Sequence, residues 1–422
     1  MKKTQFAVIG VALGVAVANA PADTSVWSEF RGNARDGTSE ATGLPLTWSE
    51  TENIKWKTEL PGVGHSSPVA ANGRIWMTMS PDEGKTRHVL CVDFETGKIT
   101  RDIPLFTYNP KGERNHAMNS YATPTPVVEG NRVYVTFANP GTACLNAETG
   151  EVIWQRRDIT NHFWDVGGAC SPILYGNKLI MNCDGHNDAA RFIIALSKDT
   201  GETLWRTDRT YKDGKVPNSS THAYSVPLVV KVGDKEQVVS TAGFGFFGYD
   251  LETGKELWVA RYEGWSAVPR PVAADGMVFV CAGVIKPSMM AIRLDKAQGD
   301  ITGTDAVAWS TTKKVPDMPS PLLVGGRFYT MTPTTLTCIE PATGKEFWSE
   351  KIPGQHLASP VCAEGRIYLF NTDGGATVVK LGDTFETLAS NKLDSGCYAS
   401  PAIIGKSLIV RTSSHLYRIE QK

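Results

Sequence analysis

A proline-anchored string recurs along the chain and constrains the fold more than any other feature. Each copy has a small or polar residue, a proline, an apolar run, a turn that usually contains glycine and an alternating apolar strand, as in SPVAANGRIWMT from Ser67. Eight copies are spaced by 39 to 58 residues. Their anchor prolines are Pro68, Pro126, Pro172, Pro227, Pro271, Pro321, Pro360 and Pro401. A period of this length is typical of propellers and other repeat arrays.

Each copy predicts an antiparallel β-hairpin. Apolar and polar residues alternate on both sides of a short turn such as Asn72-Gly73 or Glu364-Gly365, which is the pattern of two half-buried strands. The proline begins the first strand, where its missing N–H removes no ladder bond. Glycine or proline interrupts every run before a helical period can develop, so the pattern disfavours helices.

A second string of eleven residues follows in most units and predicts another hairpin. It reads CLNAETGEVIW from Cys144, ALSKDTGETLW from Ala195, GYDLETGKELW from Gly248 and CIEPATGKEFW from Cys338. A tryptophan that returns once per unit brings a large apolar area and an N–H donor. We therefore predict that it docks between neighbouring sheets.

Two hairpins per unit and eight units predict an all-β fold, an eight-bladed β-propeller of four-stranded antiparallel blades. The last unit lacks a tryptophan strand, whereas NIKWKTEL, from Asn53 to Leu60, stands alone before the first unit. We predict that this N-terminal strand closes the last blade and removes its open edge. The propeller then covers residues 48–422, and residues 23–47 form an extended segment before it.

The first 22 residues predict a cleavable signal peptide and therefore a periplasmic or secreted protein. Lys2 and Lys3 precede a short apolar run that ends in small residues, the pattern of a secretory signal rather than of a transmembrane anchor. The first cysteine is Cys91, so we expect no lipid-bearing cysteine after the signal. Without the two signal lysines, 41 basic residues face 44 acidic ones. A net charge of −3 argues against nucleic acid as a partner.

The cysteine positions favour buried thiols over disulfides. Cys91, Cys144 and Cys338 occupy the first position of the second string, where other units carry alanine or glycine. A slot that accepts these three residue types is small and buried, and a free cysteine behaves there as a small hydrophobe. Cys170 and Cys183 are the best local disulfide candidates, because both lie on the first hairpin of one unit.

Polar residues just before the anchor prolines form the candidate site. Innermost strands of a propeller begin at the central channel, so these side chains should converge on its mouth. The candidates are His65, Tyr121, Asp165, His222, Tyr224, Arg270, Asp317, His356 and Tyr398. They could orient a polar ligand or, through the imidazoles, hold a metal; a merely solvated polar lining is the alternative. Because polar side chains are expected wherever inner strands face water, we predict no catalytic residue; because no local histidine pair has metal-ligand spacing, we predict no metal site.

The longest connections follow three consecutive units and predict a recognition surface. They run from Arg101 to Tyr121, from Gln155 to Ala169 and from Arg206 to Tyr224. Long loops on a rigid ring commonly carry recognition, and the mixture of aromatic, amide and basic residues suits a protein or a glycan. A packed surface cap is the alternative interpretation.

The repeated Thr-Gly with a terminal tryptophan resembles the docking repeat of pyrroloquinoline-quinone (PQQ) propellers. On these motifs the chain is identified as a member of the PQQ-like eight-bladed propeller superfamily. One branch, the quinoprotein dehydrogenases, binds PQQ and Ca²⁺ on the propeller axis. The other is similar to the propeller component of the outer-membrane β-barrel assembly machinery, a protein scaffold, and the strings FRGNARDG and GHSSP resemble exported propellers of that branch.

The resemblance implies a non-catalytic scaffold with no cofactor. The dehydrogenases use two adjacent cysteines against the quinone, and no two of the eight cysteines are adjacent in this sequence. We expect a monomer that binds another exported or envelope protein. The alternative is a small PQQ-dependent alcohol dehydrogenase with Ca²⁺, in which Asp317 or Asp165 would be the base and Arg270 would bind quinone carboxylates. A glycan- or polymer-binding module is a further alternative.

Overall fold

The fold is an all-β propeller, as the sequence predicts. A computed structural model describes residues 25–109, 116–160, 167–185, 191–214 and 221–421. Within these ranges the strands form eight sheets around a central channel, and the one helical element is a short 3₁₀ turn at Lys212–Gly214. None of the described helical residues forms a helix long and apolar enough to cross a membrane. The predicted signal peptide, residues 1–22, lies outside the described residues.

The first four blades follow one another along the chain, with the innermost strand first. Blade 1 comprises Val69–Ala71, Arg74–Met79, Thr86–Asp93 and Ile99–Thr107; blade 2, Val127–Glu129, Arg132–Thr136, Thr142–Asn146 and Val152–Arg156; blade 3, Ile173–Tyr175, Lys178–Asp184, Arg191–Ser197 and Thr203–Asp208; and blade 4, Leu228–Val232, Lys235–Ala242, Gly245–Asp250 and Glu256–Arg261. Each anchor proline immediately precedes the innermost strand, so the sequence period is the blade period.

The remaining four blades keep this order, except that the last is completed from the other end of the chain. Blade 5 comprises Val272–Ala274, Met277–Ala282, Ser288–Arg293 and Val307–Thr311; blade 6, Leu322–Val324, Arg327–Met331, Thr335–Ile339 and Glu346–Lys351; blade 7, Val361–Ala363, Arg366–Phe370, Gly375–Lys380 and Thr387–Lys392; and blade 8, Ala402–Ile404, Ser407–Arg411, His415–Glu420 and Ile54–Glu59. A two-residue strand, Gly299–Asp300, also pairs in parallel with the outer strand of blade 4.

The N-terminal strand closes the ring, which confirms the predicted closure. Ile54–Glu59 pairs antiparallel with His415–Glu420, and Trp56 lies opposite Arg418. The outer strand of blade 8 therefore comes from the beginning of the chain and its inner three from the end. This arrangement joins the two ends of the propeller through ladder hydrogen bonds.

Tryptophans of five blades bond to the next blade, as predicted, whereas Trp258 of blade 4 donates within its own blade, to Gln237 Oε1 at 3.0 Å. Trp205, on the outer strand of blade 3, donates its indole N–H to the Leu251 carbonyl of blade 4 at 3.0 Å. Its ring lies over Gly254, where a Cβ atom would sit 2.5 Å from the indole. Glycine in the Thr-Gly pair thus supplies both the positive φ of the turn and the space for the ring. Among the described residues the same indole-to-carbonyl bond joins Trp56 to Phe94, Trp154 to Lys198, Trp309 to Pro341 and Trp348 to Gly382.

The cysteines are interior packing residues. All eight are buried free thiols. Cys91, Cys144 and Cys338 lie on third strands, where their side chains are completely buried. This confirms the small buried slot that the repeat predicts, and Cys170 and Cys183 are likewise free thiols.

Residues 26–48 form an N-terminal strap across the ends of the inner strands. The strap begins against blade 1, where Trp27 and Ala70 exchange two backbone hydrogen bonds of 2.8 Å. It reaches blade 7, where the Ser39 N–H donates to the Cys362 carbonyl at 2.9 Å. It ends with Trp48 buried against Phe370, with ring centroids 5.8 Å apart. The strap therefore covers one end of the central channel and leaves the other end as its mouth.

Candidate ligand-binding site

Phe30 and Arg31 of the strap close the floor of the channel. Phe30 lines the axial cavity. Arg31 is 1% exposed, and it donates from Nη1 to the Pro360 carbonyl at 3.0 Å and from Nη2 to the Pro321 carbonyl at 2.6 Å. All of its hydrogen bonds within the described residues go to backbone carbonyls, including that of Asp36. Burial lowers the pKa of Arg31 to about 9; the carboxylate of Asp36 opposes this change and the nearby Arg270 adds to it.

A buried ion pair fixes the strap beneath blade 5. Arg270 Nη2 lies 2.9 Å from Glu29 Oε1, and Nη1 donates to the Phe30 carbonyl at 2.6 Å. Arg35 also contacts Glu29, at 3.2 Å, from the edge of the strap. The pKa of Arg270 is lowered by burial, while Glu29 opposes this change. The pair holds the floor in one position, since neither charge has access to water.

Hydroxyl groups form an arc around the cavity above this floor. The residue before the anchor proline is serine or threonine in six consecutive blades, from blade 6 through blade 8 to blade 3. Each hydroxyl oxygen accepts a backbone N–H from the corresponding residue of the preceding blade, at 2.8–3.1 Å. The members of this hydroxyl arc are Ser320, Ser359, Ser400, Ser67, Thr125 and Ser171. All six are buried and line the cavity.

The arc stops at blades 4 and 5. Val226 takes the serine position of blade 4, and Arg270 takes that of blade 5 and points into the strap. Near this gap the lining includes the apolar side chains of Val268, Val284 and Met318, together with Tyr224 and Ser266. The cavity, of about 260 Å³, therefore has a hydroxyl side and a mainly apolar side.

The mouth carries imidazole and phenol rings. The rings of His65 and Tyr398 stack with centroids 4.6 Å apart and an interplanar angle of 10°. Burial, with the nearby Arg411 guanidinium, lowers the pKa of His65 to about 4, so the imidazole is neutral at physiological pH. His116 and Met118 complete this side of the opening.

The structure brings three of the predicted site residues to the cavity. His65, Tyr224 and Tyr398 line it. Arg270 lies beneath it, in contact with the strap. Asp165 falls outside the described residues, as do residues 110–115, 161–166 and 215–220 of the long connections.

The other four predicted site residues do not line the cavity. Tyr121 packs over Arg87, 5.0 Å from ring centroid to guanidinium. His356 is 1% exposed, and its backbone N–H and ring Nδ1 both contact the Pro333 carbonyl. His222 is buried against Tyr224.

Asp317, the fourth of these residues, lies in the connection before blade 6. Its Oδ1 atom is buried without a hydrogen-bond partner in the described part of the chain. Burial raises the pKa of this carboxyl. The adjacent Met318 faces the cavity instead.

Sequence reasoning missed the hydroxyl arc and the arginines behind it. The signal for the arc was present, because Ser-Pro or Thr-Pro begins six of the eight repeats. Arg31 and Arg411 gave no comparable signal. Arg411 ends the second strand of blade 8 and is 2% exposed, and its Nη1 donates to the Ser66 carbonyl at 3.0 Å and to the Ser66 hydroxyl at 2.7 Å.

Among the described residues, those that line the cavity do not fit a quinone with a divalent cation. Ca²⁺ takes carboxylate and carbonyl oxygens as ligands, yet no carboxylate is among the described residues that line the cavity. No group of three or more His, Cys, Asp or Glu side chains within the described residues could hold a metal ion. Arg270, the candidate partner for quinone carboxylates, is already bonded to Glu29 and the Phe30 carbonyl.

Curated relatives fall into different functional classes. Tetrathionate hydrolase of Acidithiobacillus ferrooxidans is 23% identical over 60% of this chain and 51% of its own length. Quinoprotein ethanol dehydrogenase of Pseudomonas aeruginosa is 27% identical over 47% of this chain and 34% of its own length. The outer membrane protein assembly factor BamB of Burkholderia pseudomallei is 22% identical over 68% of this chain and 81% of its own length. The chain thus spans about half or less of the first two relatives.

Solved structures share the fold. A europium-containing methanol dehydrogenase superposes with a TM-score of 0.65 and 12% identity, covering 93% of this chain and 91% of that one. BamB from Moraxella catarrhalis superposes with a TM-score of 0.58 and 11% identity, covering 86% and 99%. A family model described as outer membrane protein assembly factor BamB matches residues 38–157 and 189–422. The chain therefore belongs to this BamB-like family of PQQ-like β-propellers.

Proposed function

We propose that the protein is an exported, non-catalytic scaffold that binds another envelope protein at the mouth of its channel. The observation that carries this proposal is the lining of the axial cavity. Its described side chains are hydroxyl, amide, imidazole, phenol and apolar groups, with no carboxylate, amine or guanidinium among them. Such a lining can bind and orient a partner, but it lacks the paired acid and base of most hydrolytic and proton-transfer sites.

The rim of the mouth has the chemistry of a protein interface. Met118 is 37% exposed there, beside the stacked rings of His65 and Tyr398. Methionine and aromatic side chains are enriched at the centres of interfaces, where they supply large contact areas. A partner residue could therefore enter the mouth while the surrounding connections contact the partner surface.

The family match supports a scaffold over a dehydrogenase. The BamB relative aligns over most of its own length, whereas the ethanol dehydrogenase aligns over a third. We propose that the protein uses neither PQQ nor Ca²⁺, because the cavity offers no carboxylate ligands in the described chain. Export to the periplasm belongs to this proposal, and the lysine-led apolar segment at the N terminus supports it.

Site-specific photo-crosslinking in the native organism tests the scaffold. A photoreactive amino acid would replace Met118 at the rim. In the control it would replace Leu204, which is 44% exposed on the outer strand of blade 3. We expect a discrete adduct with one envelope protein from position 118 and not from position 204. Met118→Asp should weaken binding of the purified partner, because it places a charge in an apolar contact.

A cofactor titration provides the opposing test. Purified protein would be mixed with PQQ and Ca²⁺, and binding and dye-linked alcohol oxidation would be measured. We expect neither. Stoichiometric PQQ binding with turnover would overturn the scaffold proposal and establish the dehydrogenase.

A further inference from the structure

The hydroxyl arc presents unused hydrogen-bond donors to the axial cavity. A serine or threonine hydroxyl has one O–H donor and two acceptor lone pairs. In the arc each oxygen uses a lone pair to accept a backbone N–H from the preceding blade. No acceptor for any of these six hydroxyl protons is found within the described residues. The arc is therefore a set of fixed oxygens whose protons are available to a ligand.

The charges around the cavity favour an anion. Beneath the floor, the guanidinium groups of Arg31, Arg35 and Arg270 face the carboxylates of Glu29 and Asp36. This leaves one positive charge in excess. Arg411, buried beside Ser66 next to the arc, adds a second, and its hydrogen bonds in the described chain go to Ser66 and the Thr78 carbonyl. Buried charges act through a low dielectric, so these arginines place a positive potential at the arc; the unpartnered carboxyl of Asp317, before blade 6, opposes it where it is ionised.

The apolar part of the cavity lining determines what the rest of the ligand must be. At blades 4 and 5 the arc gives way to an apolar wall of Val226, Val268 and Val284, and Met318, in the connection before blade 6, extends this wall. A small anion alone would leave these apolar side chains exposed to water, whereas a ligand with an apolar chain would bury them, which is favourable. The cavity of about 260 Å³ is near the lower end for ligand pockets and suits a small molecule or the last residues of a peptide.

We propose that the axial cavity binds a carboxylate attached to an apolar body. The carboxylate lies against the hydroxyl arc, and the body lies against the apolar side chains of Val226, Val268, Val284 and Met318. This chemistry has two sources, a free aliphatic acid or the C terminus of a protein chain. The inference goes beyond the scaffold function, because crosslinking at the rim does not depend on occupancy of the cavity.

Calorimetric titration of the whole protein tests this site. The ligands are octanoate, octanol, octylamine and a short peptide ending in Leu-Leu, as the free acid and as the amide. Saturable octanoate binding, at least about tenfold tighter than that of octanol or octylamine, supports a free acid. Binding of the peptide acid alone, without its amide or octanoate, supports the proposal with a chain terminus as the source. Equal binding of octanoate and octanol, or no binding of either acid, overturns it.

Variants place the ligand in the cavity. Ser359→Ala removes one donor of the arc and should weaken carboxylate binding about tenfold, since bonds to charged groups are the stronger class. The matched control is Ser349→Ala. The Ser349 hydroxyl lies outside the cavity, 2.9 Å from the Thr337 hydroxyl, so this variant should bind the carboxylate as tightly as the parent protein does. Because Ser359 also accepts the Ser320 N–H, Ser359→Ala costs stability.

A second variant leaves the hydrogen bonds of the arc intact. Val226→Phe fills the cavity at a position whose side chain makes no hydrogen bond, and it should abolish binding while circular dichroism shows a folded protein. A folded Val226→Phe protein that binds octanoate unchanged would overturn the assignment of the cavity.

Discussion

Arg270 and Glu29 form an ion pair in which Nη2 and Oε1 are 2.9 Å apart and both side chains are at most 3% exposed. The pair joins blade 5 to the N-terminal strap. It is one of the contacts that make a segment outside the repeat part of the propeller core.

We predict that Glu29→Gln destabilises the protein by about 3 kcal/mol, because it leaves the buried Arg270 charge uncompensated. Urea unfolding followed by tryptophan fluorescence measures the loss. The control is Glu263→Gln, which removes an exposed pair with Lys286 and should leave the unfolding midpoint unchanged. An equally small effect of both substitutions would contradict the role given to the buried pair.

We predict that a glycine beneath a docked tryptophan tolerates substitution less well than a glycine in an open turn. Gly254 has φ of 71° and a Cβ there would lie 2.5 Å from the Trp205 ring, whereas Gly276 has φ of 75° and a Cβ there would meet no atom within 4 Å. Gly276→Ala should cost about 1 kcal/mol for the left-handed backbone. Gly254→Ala should cost about 3 kcal/mol or more, because it also displaces the indole. Thermal unfolding of both variants checks this, and equal losses would show that the ring contributes nothing.

The blades could be predicted from sequence because their signals are local. Alternation, turn glycines and the anchor proline all act within about a dozen residues, and the repeat gives eight independent examples of them. Ring closure followed from the orphan strand around Trp56, since a tryptophan strand before the first blade has one vacant partner. The fold class was therefore within reach of pattern alone.

The cavity was less accessible to prediction because it depends on side-chain directions in connections and on the strap. Tyr121 and His356 occupy the predicted chain positions, but their side chains contact Arg87 and the Pro333 carbonyl, and Asp317 does not line the cavity either. Nothing in the string FRGNARDG shows that Arg31 would lie beneath carbonyls some 290 residues away. The serine before each anchor proline suggested only the start of a strand, although its hydroxyl also links adjacent blades.

We predict that the protein loses stability in mild acid, because the imidazoles of His65 and His356 are neutral in the folded protein. Burial lowers the pKa of His65 to about 4 and also lowers that of His356. In the unfolded chain these groups titrate near pH 6.5, so unfolding takes up protons between that pH and the lower folded pKa. Stability is therefore full above about pH 6.5 and falls as the pH drops towards 4, by at most roughly 1.4 kcal/mol per pH unit for each group.

The measurement is urea unfolding at several pH values in this window. His65→Asn should reduce the slope of unfolding free energy against pH, whatever its effect on absolute stability. His116→Asn, at the exposed side of the mouth, should keep the slope because His65 and His356 remain. A parent protein with a flat profile between pH 6.5 and 4 would contradict the buried, neutral assignment.

The eight buried thiols make the last prediction, which concerns reactivity rather than stability. Burial raises the pKa of every cysteine, and the thiolate is the form that alkylating reagents attack. Native protein should therefore gain no mass with iodoacetamide, and protein unfolded in guanidinium without reductant should gain eight adducts. Ser310→Cys, on the exposed outer strand of blade 5, is the control that should react in the native state. Fewer than eight adducts after unfolding would reveal a disulfide, and peptide mapping would then look first at Cys170 and Cys183, because these two buried thiols lie close enough for one to raise the pKa of the other.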